Sequence, residues 1–235
     1  MREKTPMPRQ CILTAAERSA LLAFPIEKSE LIRLYTFSEQ DLSAIKQRRG
    51  NANRVGFAVL LCSLRYPGQA LSACERPPNS FLRMVASQLG INEKVWDQYG
   101  EREETRREHL SELRAFLDLT PFGLRHFHQF ARWLTELAIQ TDKGVLLASA
   151  LVQELRREKV VLPLINVIER ICAPAITRAN RKMYLTLAES LNDGHRVLLE
   201  GLLRQPTGST SSTLAGCDKR PVHQAPSIFW NTFND

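Results

Sequence analysis

The sequence lacks the features that most directly identify an enzyme or a metal protein. Its five cysteines are odd in number and include no C-x-x-C pair, so we expect neither a disulfide framework nor a zinc site, and a reducing compartment fits best. No glycine-rich phosphate loop, G-x-S-x-G or H-E-x-x-H motif occurs. His126 and His128 are two positions apart, so they cannot share a metal ion on one helix. An enzymatic function therefore has little local support.

Long apolar runs and a signal sequence are also missing. The first ten residues, MREKTPMPRQ, contain no apolar segment of the signal-peptide type. The longest apolar stretches, near 58–61 and 160–165, are too short to span a bilayer. We therefore expect no membrane partner and a cytoplasmic location. Aromatic residues make up only 7% of the 235 residues, and the remaining apolar content is mostly Leu, Ala, Val and Ile, which favours helices packed on helices.

Helical signals dominate what is present. Thr14 and Ser38 each precede an acidic residue by three positions, which is the capping-box pattern. Gly50 is expected to follow the end of the helix that begins after Ser38, and the next helix is expected to start near Asn53. No sustained period-2 alternation indicates a strand. We therefore predict an all-α, multi-helix fold with no sheet.

Two further segments support this reading of the second half of the chain. Pro174 is expected to break or kink a late helix. The segment FGLRHFHQFARWLTELAIQT predicts an amphipathic helix. Its predicted apolar face consists of Leu124, Phe127, Phe130, Ala131 and Leu134.

Turn-forming residues divide the chain into five predicted parts. We place an N-terminal arm at 1–11 and a first helical subdomain at 12–68. The stretch QALSACERPPNS lies in a linker at 69–80. A second helical region then covers 81–205, and the aperiodic segment 206–235 is predicted to be a disordered tail.

The formal net charge is +7, which favours an anionic partner, nucleic acid first. The strongest basic run, IKQRRGNANRVGFA, joins the end of one helix to the start of the next. Its cations can neutralise phosphates, backbone N–H groups at the second helix can bind phosphate oxygens, and its amides suit adenine edges. The alternative is that Arg48 and Arg49 only satisfy a helix dipole. The candidate DNA-binding residues here are Lys46, Gln47, Arg48, Arg49, Asn51, Asn53, Arg54 and Arg65.

Two other basic patches carry weaker signals. In the segment TRANRKM a solvated helix face and a DNA contact are equally compatible with the pattern. The glutamates around TRREHLSEL pair with arginines at helical spacing, which indicates a salt-bridge surface rather than a catalytic carboxylate cluster. From these patches the candidate residues are Arg106, Arg107, Arg178, Asn180, Arg181 and Lys182.

Four segments together resemble the N-terminal region of transposases of the Tn-three family, which move class II replicative transposons. They are MPRQCILTAAERSALLAFP, YTFSEQDLSAIKQRRGNANRVGFAVLLCSLRYPGQAL, ETRREHLSELRAFLDLTPF and LPLINVIERICAPAITRANRKMY. The resemblance covers about 7–215. It implies a helical region that recognises terminal inverted repeats through successive DNA-binding subdomains, here 12–68 and 81–205. The family's RNase H-like domain, with three carboxylates and magnesium, comes later, so the resemblance implies no catalytic residue and no cofactor in this chain.

The resemblance stops after the residues STLA. Restoring one T there regroups the codons into an amphipathic helix that begins WLRQAP, so we predict that 216–235 are out-of-frame sequence from a one-base deletion. Three hypotheses follow. The first is sequence-specific binding to transposon ends without catalysis, by a bacterial, nucleoid-associated protein whose partner is double-stranded DNA. The second is a regulatory fragment that associates with intact transposase or a second copy. The third is an inactive product of a decayed element.

Overall fold

The computed structural model describes residues 12–71, 75–99 and 103–204, and these ranges are almost entirely helical. These ranges contain no β-strand. Thr120 and Val160 form an isolated parallel β-bridge. The all-α prediction is confirmed. The predicted arm at 1–11 and tail at 206–235, including 216–235, lie outside the described residues. The helices are α1 (Ala15–Leu21), α2 (Lys28–Tyr35), α3 (Glu39–Lys46), α4 (Asn51–Arg65), α5 (Asn79–Gln88), a 3₁₀ helix (Glu93–Gln98), α6 (Glu103–Phe116), α7 (Leu124–Leu137), α8 (Gly144–Arg157), α9 (Ile165–Glu189) and α10 (Asp193–Leu203).

Both predicted capping boxes are confirmed. The Thr14 hydroxyl accepts a hydrogen bond from the Glu17 backbone N–H at 3.3 Å, and the Glu17 carboxylate accepts one from the Thr14 N–H at 2.7 Å. Ser38 and Asp41 make the same reciprocal pair at 3.2 and 2.8 Å. Each pair satisfies two N–H groups that have no partner inside the helix.

Gly50 has a different role from the predicted one. It has the left-handed φ of 80° that favours glycine, but α3 already ends at Lys46. Gly50 is instead the residue that precedes the first turn of α4, which begins at Asn51. A four-residue turn at 47–50 therefore separates α3 from α4, and the start of α4 is two residues earlier than expected.

Pro174 does not break its helix. The α9 helix runs from Ile165 to Glu189 with Pro174 inside it, although proline removes one backbone hydrogen bond and crowds the preceding turn. Ile171, Cys172 and Ala175 on either side are fully buried. Burial of both halves in one core offsets the local cost of the proline.

Two clusters of buried side chains organise the unit that covers 1–180. The first cluster contains α2 to α5, the 3₁₀ helix and Leu113 of α6, with α4 at its centre. The second contains α7, α8 and α9 as far as Ala179, and it also takes in Leu13 just before α1. Leu71, inside the predicted linker, and Phe81, just after it, both belong to the first cluster. The two clusters and the predicted subdomains thus divide the chain differently.

The second compact unit covers 181–235 and is described here for residues 181–204. It contains the end of α9 and the whole of α10, and none of these described residues is buried. None of the described helices is long and apolar enough to cross a membrane. The exposed large apolar residues of this unit are Tyr184, Leu185, Leu187, Val197, Leu198, Leu199, Leu202 and Leu203.

Candidate nucleic-acid interface

The turn between α3 and α4 presents part of the predicted basic run to solvent. Lys46, Gln47, Arg49 and Asn51 are exposed. No acidic residue lies in the first turn of α4, and no side chain caps its start at Gly50. The first N–H groups of α4 and the two cations therefore offer positive charge and hydrogen-bond donors at one end of the helix.

Two other predicted residues, Asn53 and Arg54, hold this turn through hydrogen bonds to its backbone. The Arg54 guanidinium donates from Nε to the Arg48 carbonyl at 3.0 Å and from Nη2 to the Lys46 carbonyl at 3.5 Å. The Asn53 side-chain amide donates to the Arg49 carbonyl at 3.0 Å. These bonds satisfy carbonyls at the end of α3 and in the turn, so Asn53 and Arg54 hold the loop that presents Lys46 and Arg49.

Arg48 is engaged by α6 and by the first core. Its Nη1 lies 2.5 Å from a carboxylate oxygen of Glu112, and its guanidinium sits 4.8 Å above the centre of the Phe57 ring. Its Nε is buried without a hydrogen-bond partner. A phosphate contact by Arg48 would therefore have to compete with Glu112.

Arg65 lies at the opposite end of α4 and binds a buried carboxylate. Its two terminal nitrogens meet the two oxygens of Asp41 at 2.9 and 2.5 Å, and Asp41 is 1% exposed. Burial alone would raise the pKa of Asp41, but hydrogen bonds from Arg65 and Ser38 outweigh it and lower the pKa. Fourteen residues of helix separate Arg65 from Asn51, about 20 Å, so Arg65 does not share a surface with the basic turn.

The burial of α4 limits how it could meet DNA. All ten residues from Val55 to Leu64 are buried, and only its first turn reaches solvent. A helix that lies in a major groove exposes one side along several turns. Contact by α4 is therefore possible only end-on, through its N-terminus.

The predicted patch on α6 is not a basic surface. Arg106 is only 6% exposed, and its Nη2 has no hydrogen-bond partner. Arg107 is exposed and pairs with Glu103 at 2.8 Å. The exposed charged residues of this helix are Glu103, Glu104, Arg107, Glu108 and Glu112. Four carboxylates against one guanidinium give α6 a net negative outer face, which repels phosphates.

The residues of the last predicted patch belong to two different compact units. In the first unit Arg178 is exposed and Asn180 is partly buried; in the second, Arg181 and Lys182 are exposed. Each of these exposed cations, Arg178, Arg181 and Lys182, is accessible to a phosphate group from solvent.

The helix α7 carries an exposed polar face that the sequence analysis missed. The predicted apolar face is buried at Phe130, Ala131 and Leu134. Leu124 is instead 78% exposed, because it is the first residue of the helix and helical side chains lean towards the N-terminus, where no earlier turn covers it. The exposed residues of α7 are Leu124, Arg125, His128, Gln129, Arg132, Trp133 and Glu136.

The described ranges contain neither a metal-binding cluster nor an exposed thiol. No group of three or more His, Cys, Asp or Glu residues within them could hold a metal ion. Cys62 and Cys172 are buried free thiols. Burial raises the pKa of both, that of Cys172 to about 12, so these thiols stay protonated and unreactive at neutral pH.

Comparison with known proteins identifies the family of this chain. A family model described as a domain of unknown function, DUF4158, matches residues 12–175, more than two thirds of the sequence. The chain belongs to the DUF4158 family. The match includes the whole first hydrophobic cluster, which ends at Leu113. It also includes the second cluster from Leu13 to Ala175, so that only Ala179 lies outside it.

Several transposases are similar to this DUF4158 chain over nearly its whole length. It is 54% identical to the transposase for transposon Tn3926 and 52% identical to that for transposon Tn21, both of Escherichia coli. It is 50% identical to the transposase for transposon Tn501 of Pseudomonas aeruginosa. Each comparison extends over 216 residues, 92% of this chain but 22% of the relative. The predicted resemblance to the N-terminal region of these transposases is confirmed, and the chain spans less than a quarter of the length of the curated relatives it matches.

Proposed function

We propose that this chain binds double-stranded DNA at the ends of a transposon and takes part in DNA transposition through that contact. The observation that carries the proposal is the identity of 50–54% over 216 residues with three transposases. The exposed cations of the turn between α3 and α4, Lys46 and Arg49, support it, as does the net charge of +7. The location that this function requires is the bacterial cytoplasm, at the nucleoid.

We also propose that the chain cannot cut or join DNA strands by itself. The proposal rests on the 22% share of each transposase that the chain matches. Catalysis and the magnesium that accompanies it would belong to the remaining part of those relatives, and this chain needs no cofactor to bind DNA.

The experiment that tests DNA binding compares two duplexes of equal length and base composition. One carries a terminal inverted repeat of transposon Tn3926, and the other is its scrambled sequence. We expect tighter binding to the first in a gel-shift or anisotropy titration. Affinity should fall with salt, with a log–log slope of about −0.9 for each phosphate neutralised. Equal affinity for the two duplexes would contradict recognition of transposon ends.

A second candidate function is association with intact transposase or with a second copy of this chain. The observation that favours it is the exposed apolar surface of α10, where Val197, Leu198 and Leu203 have exposed fractions of 62–70%. Contiguous exposed apolar residues commonly mark protein interfaces. Co-purification of the chain with tagged Tn3926 transposase, after nuclease treatment, would support this function. Failure in this experiment and in the DNA titration would indicate an inactive product of a decayed element.

A further inference from the structure

The helix α7 differs from the other helices of the first unit in the composition of its solvent-facing side. Arg125, His128, Gln129 and Arg132 follow one another at spacings of three, one and three residues, and all four are exposed. At 100° per residue they occupy one 100° arc of the helix. The arc is opposite Phe130 and Leu134, which anchor α7 in the second core.

The two arginines of this face are not paired within the described part of the chain, although the exposed Glu136 lies on the same arc. Arg125 and Arg132 form no ion pair or hydrogen bond with any described residue. The first turn of α7 contains no acidic residue. Arg107 of α6, in contrast, is paired with Glu103 and surrounded by carboxylates. The two guanidinium groups thus keep their donors available to a ligand in solvent, and Glu136 offsets one of their two charges.

The residue types on this face are those that read base edges in DNA. Arginine donates two parallel hydrogen bonds to guanine O6 and N7, and glutamine makes a bidentate pair with adenine. Gln129 is held in place by bonds of 3.2 Å from its amide nitrogen to both carboxylate oxygens of Glu158. Its amide oxygen remains able to accept from adenine N6.

The dimensions also fit a major groove. Arg125 and Arg132 are separated by seven residues, about 10 Å along the axis, which corresponds to about three base pairs at 3.4 Å each. The exposed positions of α7 cover half of its circumference, from Leu124 to Trp133. A helix exposed over that arc can enter a groove about 12 Å wide, whereas α4 is buried from Val55 to Leu64.

We propose that the exposed face of α7 lies in the major groove of double-stranded DNA and that Arg125, His128, Gln129 and Arg132 contact base edges there. The proposal rests on the proposed DNA-binding function and adds to it the residues that set sequence preference. In this arrangement the apolar edges of the face, Leu124 and Trp133, are available to thymine methyl groups.

The test uses the full chain, the Tn3926 inverted-repeat duplex and its scrambled control. Arg132→Ala and Arg125→Ala should each weaken binding to the repeat about 10-fold or more, as expected for loss of a bidentate base contact. Binding to scrambled DNA should fall much less, so the ratio of the two affinities drops. Arg132→Lys keeps the charge but loses the planar fork, and it should lower the same ratio.

The matched control is Arg33→Ala, which removes one exposed arginine from α2. It should weaken binding to both duplexes equally and leave the ratio unchanged. Helical circular dichroism and melting temperature should be as in wild type for all these variants, because the residues are exposed. The wild-type chain should protect a guanine N7 of the repeat from methylation by dimethyl sulfate. The same guanine should be methylated in the complex with Arg132→Ala.

The outcomes separate this inference from the proposed function. A wild-type chain that prefers the repeat, with unchanged preference in Arg125→Ala and Arg132→Ala, overturns the assignment of α7 and leaves the DNA-binding function intact. A wild-type chain that does not distinguish the two duplexes overturns both. A loss of preference in the α7 variants but not in Arg33→Ala supports the inference.

Discussion

At the scale of single residues, Arg48 illustrates how a cation in a basic run can be occupied by its own protein. Its contact with Glu112 at 2.5 Å and its position over Phe57 place it against α6. If phosphate must displace Glu112, removing that carboxylate should release Arg48 for DNA. We predict that Glu112→Gln raises DNA affinity at low salt and makes the salt dependence steeper by up to about 0.9 in the log–log slope.

The control for this prediction lies one turn earlier on the same helix. Glu108 is exposed on α6, whereas the ion pair of Arg48 is with Glu112. The substitution Glu108→Gln removes the same charge about 6 Å away. Glu108→Gln should raise DNA affinity only by making the net charge of the protein more positive, and the log–log slope of affinity against salt should stay unchanged. If the two variants have the same slope, or if Arg48→Gln does not abolish the gain of Glu112→Gln, Glu112 does not compete with phosphate.

His109 makes stability depend on pH near neutrality. The Tyr99 hydroxyl and His109 Nδ1 share a hydrogen bond of 2.9 Å, and burial raises the pKa of Tyr99. Burial first, and then the Arg48 guanidinium, lower the pKa of His109 below its ordinary 6.5, with Glu112 opposing. The folded protein therefore favours the neutral imidazole of His109.

The sign of the pH effect follows from this lowered pKa. As pH falls through about 6.5, the unfolded chain takes up the His109 proton before the folded chain does, so stability is lost towards acid. We predict that the free energy of unfolding in urea falls between pH 7.5 and pH 5.5. In His109→Gln the slope should be smaller by up to about 1.4 kcal/mol per pH unit. An identical slope in the two proteins would contradict the prediction.

At the scale of elements, the contact between α4 and the residue after the 3₁₀ helix requires a glycine. A Cβ at Gly56 would lie 2.1 Å from Cδ2 of the Tyr99 ring, and the ring is itself buried and bonded to His109. We predict that Gly56→Ala destabilises the protein by about 1–3 kcal/mol, the usual cost of overpacking a core. Thermal unfolding followed by circular dichroism measures this loss.

A double variant tests whether the Tyr99 ring is the cause. In the background Tyr99→Ala, which removes the Cγ, Cδ2 and Cε2 atoms nearest Gly56, the substitution Gly56→Ala should cost much less than it does in the wild type. Equal cost in both backgrounds would mean that the strain arises elsewhere along α4.

The elements that the sequence predicted best are those with local signals. Thr14 and Ser38 begin helices through bonds that reach only three residues along the chain, and such patterns are readable without tertiary structure. The role of Gly50 was predicted wrongly because a glycine in a turn can either follow the end of one helix or precede the start of the next. The continuity of α9 through Pro174 depends on burial on both sides of it, which no local pattern contains.

The candidate interface was less predictable, because exposure decides it. The search for basic residues favoured clusters adjacent in the sequence, and it selected Arg65 and Arg106, whose charges are directed to Asp41 and to the interior. Arg125 and Arg132 are separated by seven residues, and they share a face only on a helix. A helical projection of α7 opposite its apolar face would have found them; the near-continuous apolar run 55–64 would likewise have indicated that α4 is buried.

At the scale of the whole molecule, all buried side chains among the described residues belong to the first compact unit. The second core ends at Ala179, and no described residue from 181 to 204 is buried. The apolar residues of α10 thus contribute exposed surface rather than core. Since burial of apolar surface is the main source of folding free energy, the stability of the protein should reside in the first unit.

We predict that a chain shortened to end at Tyr184, which keeps one helical turn beyond Ala179, unfolds cooperatively with nearly the wild-type melting temperature. A difference of about 3 °C or less corresponds to about 1 kcal/mol for a protein of this size. Because the shortened chain also lacks the exposed leucines of α10, it should no longer co-purify with transposase if α10 forms that contact. A fall in melting temperature of more than about 10 °C would instead mean that the segment after Tyr184 contributes several kcal/mol to folding.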